Sequence, residues 1–137
     1  MTLSPFDLVK SHYDANARGD LPGMLAPLAP DVAWTEMEGF PLGGIYTGPE
    51  AIRAGVFERL GGEWDGYSAA LDSLYDAGDT IVATGWYSGT YPPTGKAMRC
   101  RFAHVWRVAD GAVVAFEQFT DTRLVTDAMI PSGPATA

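Results

Sequence analysis

Two ionisable side chains occupy positions where the sequence pattern favours apolar residues, and Glu36 is the first of them. Glu36 alternates with Val32 and Trp34, so it shares one face of a predicted strand with two large apolar residues. A carboxylate on a buried face loses hydration, which raises its pKa and makes it a useful proton acceptor near neutral pH. The alternative is that Glu36 ends the strand at the rim, in water, as an ordinary exposed carboxylate.

His104 is the second such residue, at the middle of a long predicted strand. Alternation places it on the face of Phe102 and Trp106, opposite the face that carries three arginines. We expect the ring to be mainly neutral, because its aromatic neighbours disfavour the imidazolium. A neutral ring could donate a hydrogen bond to a substrate oxygen that gains negative charge. The alternative is a core histidine that is simply hydrogen-bonded.

Other side chains could complete a site around these two residues. Tyr13 belongs to a helical stripe with Phe6, Val9 and Ala17, so its hydroxyl either donates a proton into a cavity or only packs in the core. Trp34, Phe102 and Tyr87 are expected to line the pocket. Trp86 and Tyr87 face opposite ways, and we take Tyr87 as the inward residue.

The last predicted strand has two possible inner faces, and periodicity does not choose between them. One face holds Phe116, Gln118 and Thr120, and the other holds Glu117, Phe119 and Asp121. Asp121 could therefore reach the pocket. It could instead cap a short terminal helix that carries Leu124, Val125 and Ala128.

Helix signals dominate the first half of the chain. Ser4-Pro5 begins a helix that Gly19 ends, and Asp20 caps a shorter helix that Pro27 ends or bends. Gly48-Pro49-Glu50 begins a third helix, which the pair Gly61-Gly62 ends. The Gly-rich segment 39–48 is predicted to be a loop.

Four long runs rich in β-branched and aromatic residues follow, separated by short turn sequences. They are Tyr67–Tyr75, Thr80–Tyr91, Ala97–Val108 and Val113–Asp121. Such strands form an antiparallel meander, so we predict an α+β fold in which helices close over a curved antiparallel sheet and leave a deep, mostly apolar pocket. Residues 1–130 form a single domain, and the Pro-containing tail 131–137 is expected to be disordered.

Charge and composition limit the partners. The 137 residues include 17 acidic and 9 basic ones, for a net charge of −8, which opposes binding to nucleic acids and anionic membranes. No apolar stretch approaches the roughly 20 residues of a membrane span. The first seven residues contain no Lys or Arg, so we expect no signal peptide and a cytoplasmic protein. A small, neutral, hydrophobic organic molecule is the expected ligand.

Metal and disulfide chemistry are not expected. The single cysteine, Cys100, has no internal partner for a disulfide, and the two histidines, His12 and His104, form no familiar zinc spacing with it. We therefore expect neither a metal nor another cofactor.

The order helical hairpin, strand, helix and meander resembles the nuclear transport factor 2-like (NTF2-like) superfamily and, within it, the SnoaL-like proteins. The resemblance covers Val9 to about Met129. Its most telling stretches are Tyr13–Leu21, Ala29–Trp34, Tyr46–Ile52, His104–Gly111 and Phe119–Thr122. It implies a single SnoaL-like domain with a cone-shaped curved antiparallel sheet packed against N-terminal helices, a cystatin-like α+β barrel. It also implies a homodimer through the convex face, where Ala103 and Val105 point outward.

The resemblance implies roles for the candidate residues. Ketosteroid isomerases of this superfamily pair a base at the end of the first strand with a helix Tyr and a mid-strand Asp that hold the enolate oxygen, positions equivalent to Glu36, Tyr13 and His104. Polyketide cyclases carry their base on the last strand, at the position of Gln118, which cannot accept a proton. The expected function is therefore cofactor-free proton abstraction alpha to a carbonyl, by an isomerase, cyclase or dehydratase with Glu36 as base. The alternative is a domain that holds a hydrophobic ligand without turning it over.

Overall fold

Five helices and one π-helical segment pack against a six-stranded sheet in the computed structural model, which describes residues 2–133. The helices are α1 Pro5–Ala17, α2 Leu21–Leu25, α3 Pro49–Ile52, α4 Glu58–Glu63 and α5 Thr122–Met129, and the π-helical segment Arg53–Phe57 joins α3 to α4. The strands are β1 Leu28–Glu36, β2 Gly44–Thr47, β3 Asp65–Ala77, β4 Thr80–Tyr91, β5 Lys96–Ala109 and β6 Ala112–Thr120.

The sheet has the strand order β2-β1-β6-β5-β4-β3. The meander β3 to β6 is antiparallel, as predicted, and register shifts within it mark bulges, which bend strands. The curved α+β architecture predicted from the sequence is thus confirmed. One pair departs from the expected antiparallel pattern: β1 and β6 run parallel, with Trp34 opposite Phe116. A parallel pair needs a long connection, and β2, the helices after it and strands β3 to β5 supply it.

The first helix follows its sequence signals at both ends. The Ser4 hydroxyl accepts a hydrogen bond from the Asp7 amide at 3.1 Å, and Gly19 adopts a φ of +70° where the chain turns toward α2. The predicted stripe is wrong at Ala17, which is exposed because α1 ends there. The buried face instead consists of Leu8, Val9, His12, Tyr13 and Ala15.

Two local predictions in the middle of the chain are wrong. The segment 39–48 is not all loop, because Gly44–Thr47 forms β2 and pairs with the otherwise open edge of β1. The predicted third helix, which the structure divides into α3, the π-helical segment and α4, does not end at Gly61-Gly62 but continues to Glu63. Neither glycine has a positive φ, and the buried side chain of Trp64 marks the end of the helix instead.

Three aromatic rings dominate the core between α1 and the inner face of the sheet. Trp34 stacks on Phe116 with ring centroids 3.7 Å apart, and Trp106 meets Phe116 edge-on at 4.7 Å. On the outer face, the Trp86 ring lies under the guanidinium group of Arg99, whose Cζ is 3.6 Å from the ring centroid. The sheet therefore has one apolar face, which holds the site, and one mixed face.

Residues 131–133 are exposed and have no regular secondary structure. The rest of the tail predicted to be disordered, 134–137, lies outside the described residues. Within residues 2–133, no helix combines the length and the apolar character needed to cross a bilayer.

Candidate active site

A cavity of about 310 Å³ lies between the helices and the inner face of the sheet. Much of its wall is apolar, with Trp34 and Phe116 from the sheet and Val56, Phe57 and Leu60 from the helices after residue 48. Its volume is at the lower end of the range of pockets that hold small organic molecules. The cavity thus suits a compact hydrophobic ligand.

Glu36 lies at the end of β1 and contributes the carboxyl group of the cavity wall. Its side chain is 3% exposed, and its Oε2 accepts a hydrogen bond from Trp34 Nε1 at 3.2 Å. Burial raises the pKa of Glu36 to about 7, against the smaller opposing effect of the Trp34 hydrogen bond. Among the described residues, no cationic side chain forms an ion pair with it. Glu36 is therefore a carboxyl group that can exchange a proton near neutral pH.

His104 lies at the centre of β5 and uses both of its ring nitrogens. Tyr13 Oη is 2.5 Å from Nδ1, and Tyr87 Oη is 2.5 Å from Nε2. The Phe102 ring stacks on the imidazole with centroids 4.1 Å apart. Burial, with a smaller contribution from the nearby His12, lowers the pKa of His104 well below its usual value. The ring is thus neutral, in agreement with the expectation from its strand neighbours.

Two more side chains extend these contacts into a hydrogen-bond chain of Trp106, Tyr13, His104, Tyr87 and Gln118. Trp106 Nε1 donates to Tyr13 Oη at 2.9 Å, and Gln118 Nε2 donates to Tyr87 Oη at 3.0 Å. Gln118 is held in turn by the Met37 amide, which donates to its Oε1 at 3.0 Å. Burial raises the pKa of both tyrosines well above the usual value, so both hydroxyls stay protonated. Each tyrosine oxygen thus accepts one hydrogen bond in addition to its contact with His104, Tyr13 from Trp106 and Tyr87 from Gln118.

Counting protons along this chain shows what it offers to a ligand. A neutral imidazole donates through one nitrogen and accepts through the other. One tyrosine therefore donates to His104 while the other accepts from it, and the accepting tyrosine keeps its own proton. In either tautomer, one hydroxyl proton, from Tyr13 or Tyr87, remains available to the cavity that both side chains line. The direct donation from His104 to a substrate oxygen that the sequence suggested is excluded in this arrangement, because both ring nitrogens are occupied.

The structure brings five of the eight predicted site residues to the cavity wall. These five are Tyr13, Trp34, Glu36, Tyr87 and His104. Phe102 and Gln118 lie behind that wall, where Phe102 stacks on Tyr87 and His104 and Gln118 bonds Tyr87. Burial of Phe116 and Gln118 shows which face of the last strand points inward. Asp121 is exposed and accepts a hydrogen bond from the Leu124 amide at 3.3 Å, so it caps α5 and does not bind in the pocket.

Comparison with known proteins places this architecture in a family. A family model of the SnoaL-like domain matches residues 9–116. The chain belongs to the SnoaL-like domain family. An NTF2-like protein from Burkholderia thailandensis shares 54% identity with it, with a TM-score of 0.93 over 94% of this chain and 99% of the other. A second NTF2-like protein, from Burkholderia pseudomallei, shares 33% identity, with a TM-score of 0.82 over 90% and 95% of the two chains.

More distant similarity extends the fold comparison. TerC, in a crystal structure with polyporic acid, is 24% identical to this SnoaL-like domain, with a TM-score of 0.81 over 91% of this chain and 97% of TerC. A comparison with curated proteins found no match. The family membership inferred from the order of elements is thus confirmed.

Three polar residues of the SnoaL-like cavity were missed in the sequence, and one of them is Asn16 on α1, whose Nδ2 donates to the Ala69 carbonyl oxygen at 3.0 Å. His12 lies on α1 with its Nδ1 2.9 Å from the Met24 carbonyl oxygen, and burial lowers its pKa to about 4. Tyr67 lies on β3 with its hydroxyl buried and, among the described residues, without a hydrogen-bond partner. Helical spacing from Leu8 and Val9 could have identified His12. Alternation with Ala69, which also lines the cavity, could have identified Tyr67.

Proposed function

We propose that this SnoaL-like domain is a cofactor-free enzyme that removes a proton from the carbon alpha to a carbonyl group of a small, neutral, hydrophobic substrate. One observation supports the proposal above all. The buried carboxyl group of Glu36, which has no cationic partner among the described residues, lines the same cavity as the free tyrosine proton of the hydrogen-bond chain. A base and a hydrogen-bond donor in one apolar cavity are the two groups that enolisation of a ketone requires.

The chemical step assigns a role to each of these groups. Ionised Glu36 accepts the proton as the C–H bond breaks, and the electron pair of that bond moves through the carbon framework to the carbonyl oxygen. The Tyr13 or Tyr87 hydroxyl donates a hydrogen bond to that oxygen as it gains negative charge. His104 is a positioning residue, because both of its ring nitrogens are used to hold the two hydroxyls.

The fate of the enolate depends on the substrate. Return of the proton from Glu36 to a different carbon gives an isomerase, attack of the enolate carbon on a second carbonyl gives a cyclase, and loss of a leaving group gives a dehydratase or other lyase. The residues described serve all three outcomes equally, because each begins with the same proton transfer.

The alternative is a domain that binds a hydrophobic ligand without turning it over. Such a domain needs no base, and its Glu36 would be expected to face bulk water. The burial of Glu36 favours the enzyme. Small ligands are a feature of two structural relatives, since TerC was crystallised with polyporic acid and a protein from Catenulispora acidiphila with trimethylamine. Both relatives are consistent with a small-molecule ligand here.

The decisive experiment is hydrogen exchange at the carbon alpha to the carbonyl of α-tetralone, a compact two-ring ketone, in heavy water. We expect the wild type to accelerate deuterium incorporation, measured by NMR, and Glu36→Gln to lose about 10²- to 10⁴-fold of that acceleration. Glu38→Gln, at an exposed carboxylate two residues away, is the matched control and should keep the activity. Binding of the ketone without accelerated exchange would make this a ligand-binding domain.

We also propose that the protein is a cytoplasmic homodimer that pairs through the outer face of the sheet. This face carries partly exposed aromatic side chains, with Tyr75 55% and Phe119 43% exposed, beside Val105 and the arginines around Trp86. Mixed aromatic, aliphatic and arginine surfaces are typical of protein interfaces.

A further inference from the structure

We propose that His12 recognises a hydroxyl group of the ligand, so that the substrate of this SnoaL-like domain is a hydroxylated carbonyl compound. The carbonyl part of this inference rests on the proposed function. The hydroxyl part rests on His12 alone and holds for an enzyme or for a binding domain.

The hydrogen bond to Met24 determines which nitrogen of His12 carries the proton. A carbonyl oxygen only accepts hydrogen bonds, so the 2.9 Å contact requires Nδ1 to be the N–H nitrogen. In a neutral ring, Nε2 then carries a lone pair. Within residues 2–133, Nε2 has no hydrogen-bond partner, although the His12 side chain is 5% exposed and lines the cavity. We infer that this lone pair points into the ligand space.

The surroundings of His12 keep it an acceptor. Its ring packs against Trp106 and Tyr13 with centroids 4.7 and 5.1 Å away, and against Phe57 at 6.0 Å. No carboxylate contributes to its titration, and burial lowers its pKa to about 4. Nε2 therefore stays unprotonated near neutral pH, so it accepts a hydrogen bond and cannot donate one.

This property discriminates between ligand groups. When a ligand fills the cavity, an acceptor left unpaired costs free energy that a ligand donor avoids, whereas a carbonyl or ether oxygen placed there would face a second lone pair. No carboxylate contributes to the pKa of His12, so no counter-charge beside Nε2 selects a charged ammonium donor over a neutral donor. A neutral hydroxyl group, alcoholic, phenolic or enolic, fits the requirement.

The cavity thus presents a distinct polar group for each part of such a ligand. Glu36 faces the acidic C–H group, the free tyrosine proton faces the carbonyl oxygen, and His12 faces the hydroxyl group. The volume of about 310 Å³ is at the lower end of the range of pockets that hold small organic molecules. A one- or two-ring hydroxy ketone has a suitable size.

The test compares α-tetralone, its ring-hydroxylated isomers and their methyl ethers by titration calorimetry. We expect at least one hydroxylated isomer to bind about 3- to 10-fold more tightly than both α-tetralone and its own methyl ether. His12→Asn should abolish that preference, because an asparagine amide can replace Nδ1 at the Met24 carbonyl while leaving nothing at the position of Nε2. Ser11→Ala, which changes a side chain outside the cavity lining, should retain the preference.

A second measurement on the wild type does not depend on how well the variant folds. ¹⁵N NMR of His12 should show the resonance of Nε2 move toward lower frequency with the preferred hydroxy ketone and stay in place with its methyl ether. Equal affinities across the series, a preference that survives in His12→Asn, or an unmoved Nε2 resonance would overturn the inference.

The outcomes for the two proposals are separable. A hydroxyl preference that depends on His12, without exchange that depends on Glu36, refutes the proposed reaction and leaves the role of His12 standing. Exchange that depends on Glu36, without a hydroxyl preference, refutes the role of His12 and leaves the proposed reaction standing. If none of the ketones binds, both proposals are wrong.

Discussion

Replacement of Glu36 by Gln should stabilise the folded protein at neutral and alkaline pH. Glu36 titrates near 4.5 in an unfolded chain and at about 7 in the folded protein, where burial disfavours its charge. Below about pH 4.5 the carboxyl group is protonated in both states and has no cost. Between the two pKa values the unfolded state has lost the proton while the folded state retains it, so stability falls as the pH rises. Above about pH 7 the full cost of the buried charge is present.

The size of this effect follows from the two pKa values. Their separation, from 4.5 to about 7, corresponds to about 3 kcal/mol at about 1.4 kcal/mol for each factor of ten. Glutamine keeps an oxygen that can accept from Trp34 Nε1 but carries no charge. The free energy of unfolding of Glu36→Gln, relative to wild type, should therefore rise by about 3 kcal/mol between acidic and alkaline pH.

Urea denaturation followed by tryptophan fluorescence, at about pH 4 and about pH 8, measures this difference. The relevant quantity is how the difference between the free energies of unfolding of the two proteins changes with pH, since all other titrating groups are common to both. Exposed Glu38→Gln should differ from wild type by less than about 0.5 kcal/mol at each pH. A difference in free energy of unfolding between Glu36→Gln and wild type that is the same at both pH values would refute the reasoning. It would mean that Glu36 has the same pKa in the folded and unfolded states.

Three further predictions concern the cavity, the sheet and the assembly. Tyr67→Phe should raise the free energy of unfolding by about 1 kcal/mol, since it removes a buried hydroxyl without a partner among the described residues, and a loss of stability in urea titration would contradict this. Gly85→Ala should lower the same quantity by about 1–3 kcal/mol, because a methyl group there would collide with the Ala70 carbonyl and the Phe102 ring; an unchanged denaturation midpoint would show that the sheet can adjust. Light scattering at micromolar concentration should give the mass of a dimer, and a monomer mass would rule out the proposed pairing of outer faces.

The parts of the fold that follow from short-range patterns could be predicted from the sequence. Alternation along β5 identified its inner face because Arg99, Arg101 and Arg107 share the opposite face and cannot all be buried. The same argument placed Glu36 beside Trp34. In both strands the evidence lies within about ten consecutive residues, so no knowledge of the partner strands is needed.

The features that depend on distant partners could not be predicted in this way. Strand β2 is only four residues long and exists because β1 offers it an edge, which a Gly-rich local sequence does not reveal. The parallel pairing of β1 with β6 depends on the whole intervening chain. The occupation of both His104 nitrogens requires Tyr13 and Tyr87, which come from a helix and from another strand, to approach within hydrogen-bond distance. Periodicity indicates which way a side chain points, but not how close it comes to side chains of other elements.

The parallel pairing of β1 and β6 also affects the order in which the cavity can form during folding. Trp34 and Phe116 meet across this pair although more than half of the chain lies between them, so their contact closes a long loop and carries its entropic cost. The meander and the helical hairpin can form earlier from neighbouring segments. Glu36 and Gln118 reach their places only when the first and last strands have met, so the ligand space is among the last parts of the molecule to form, and folding should be slow for a domain of this size.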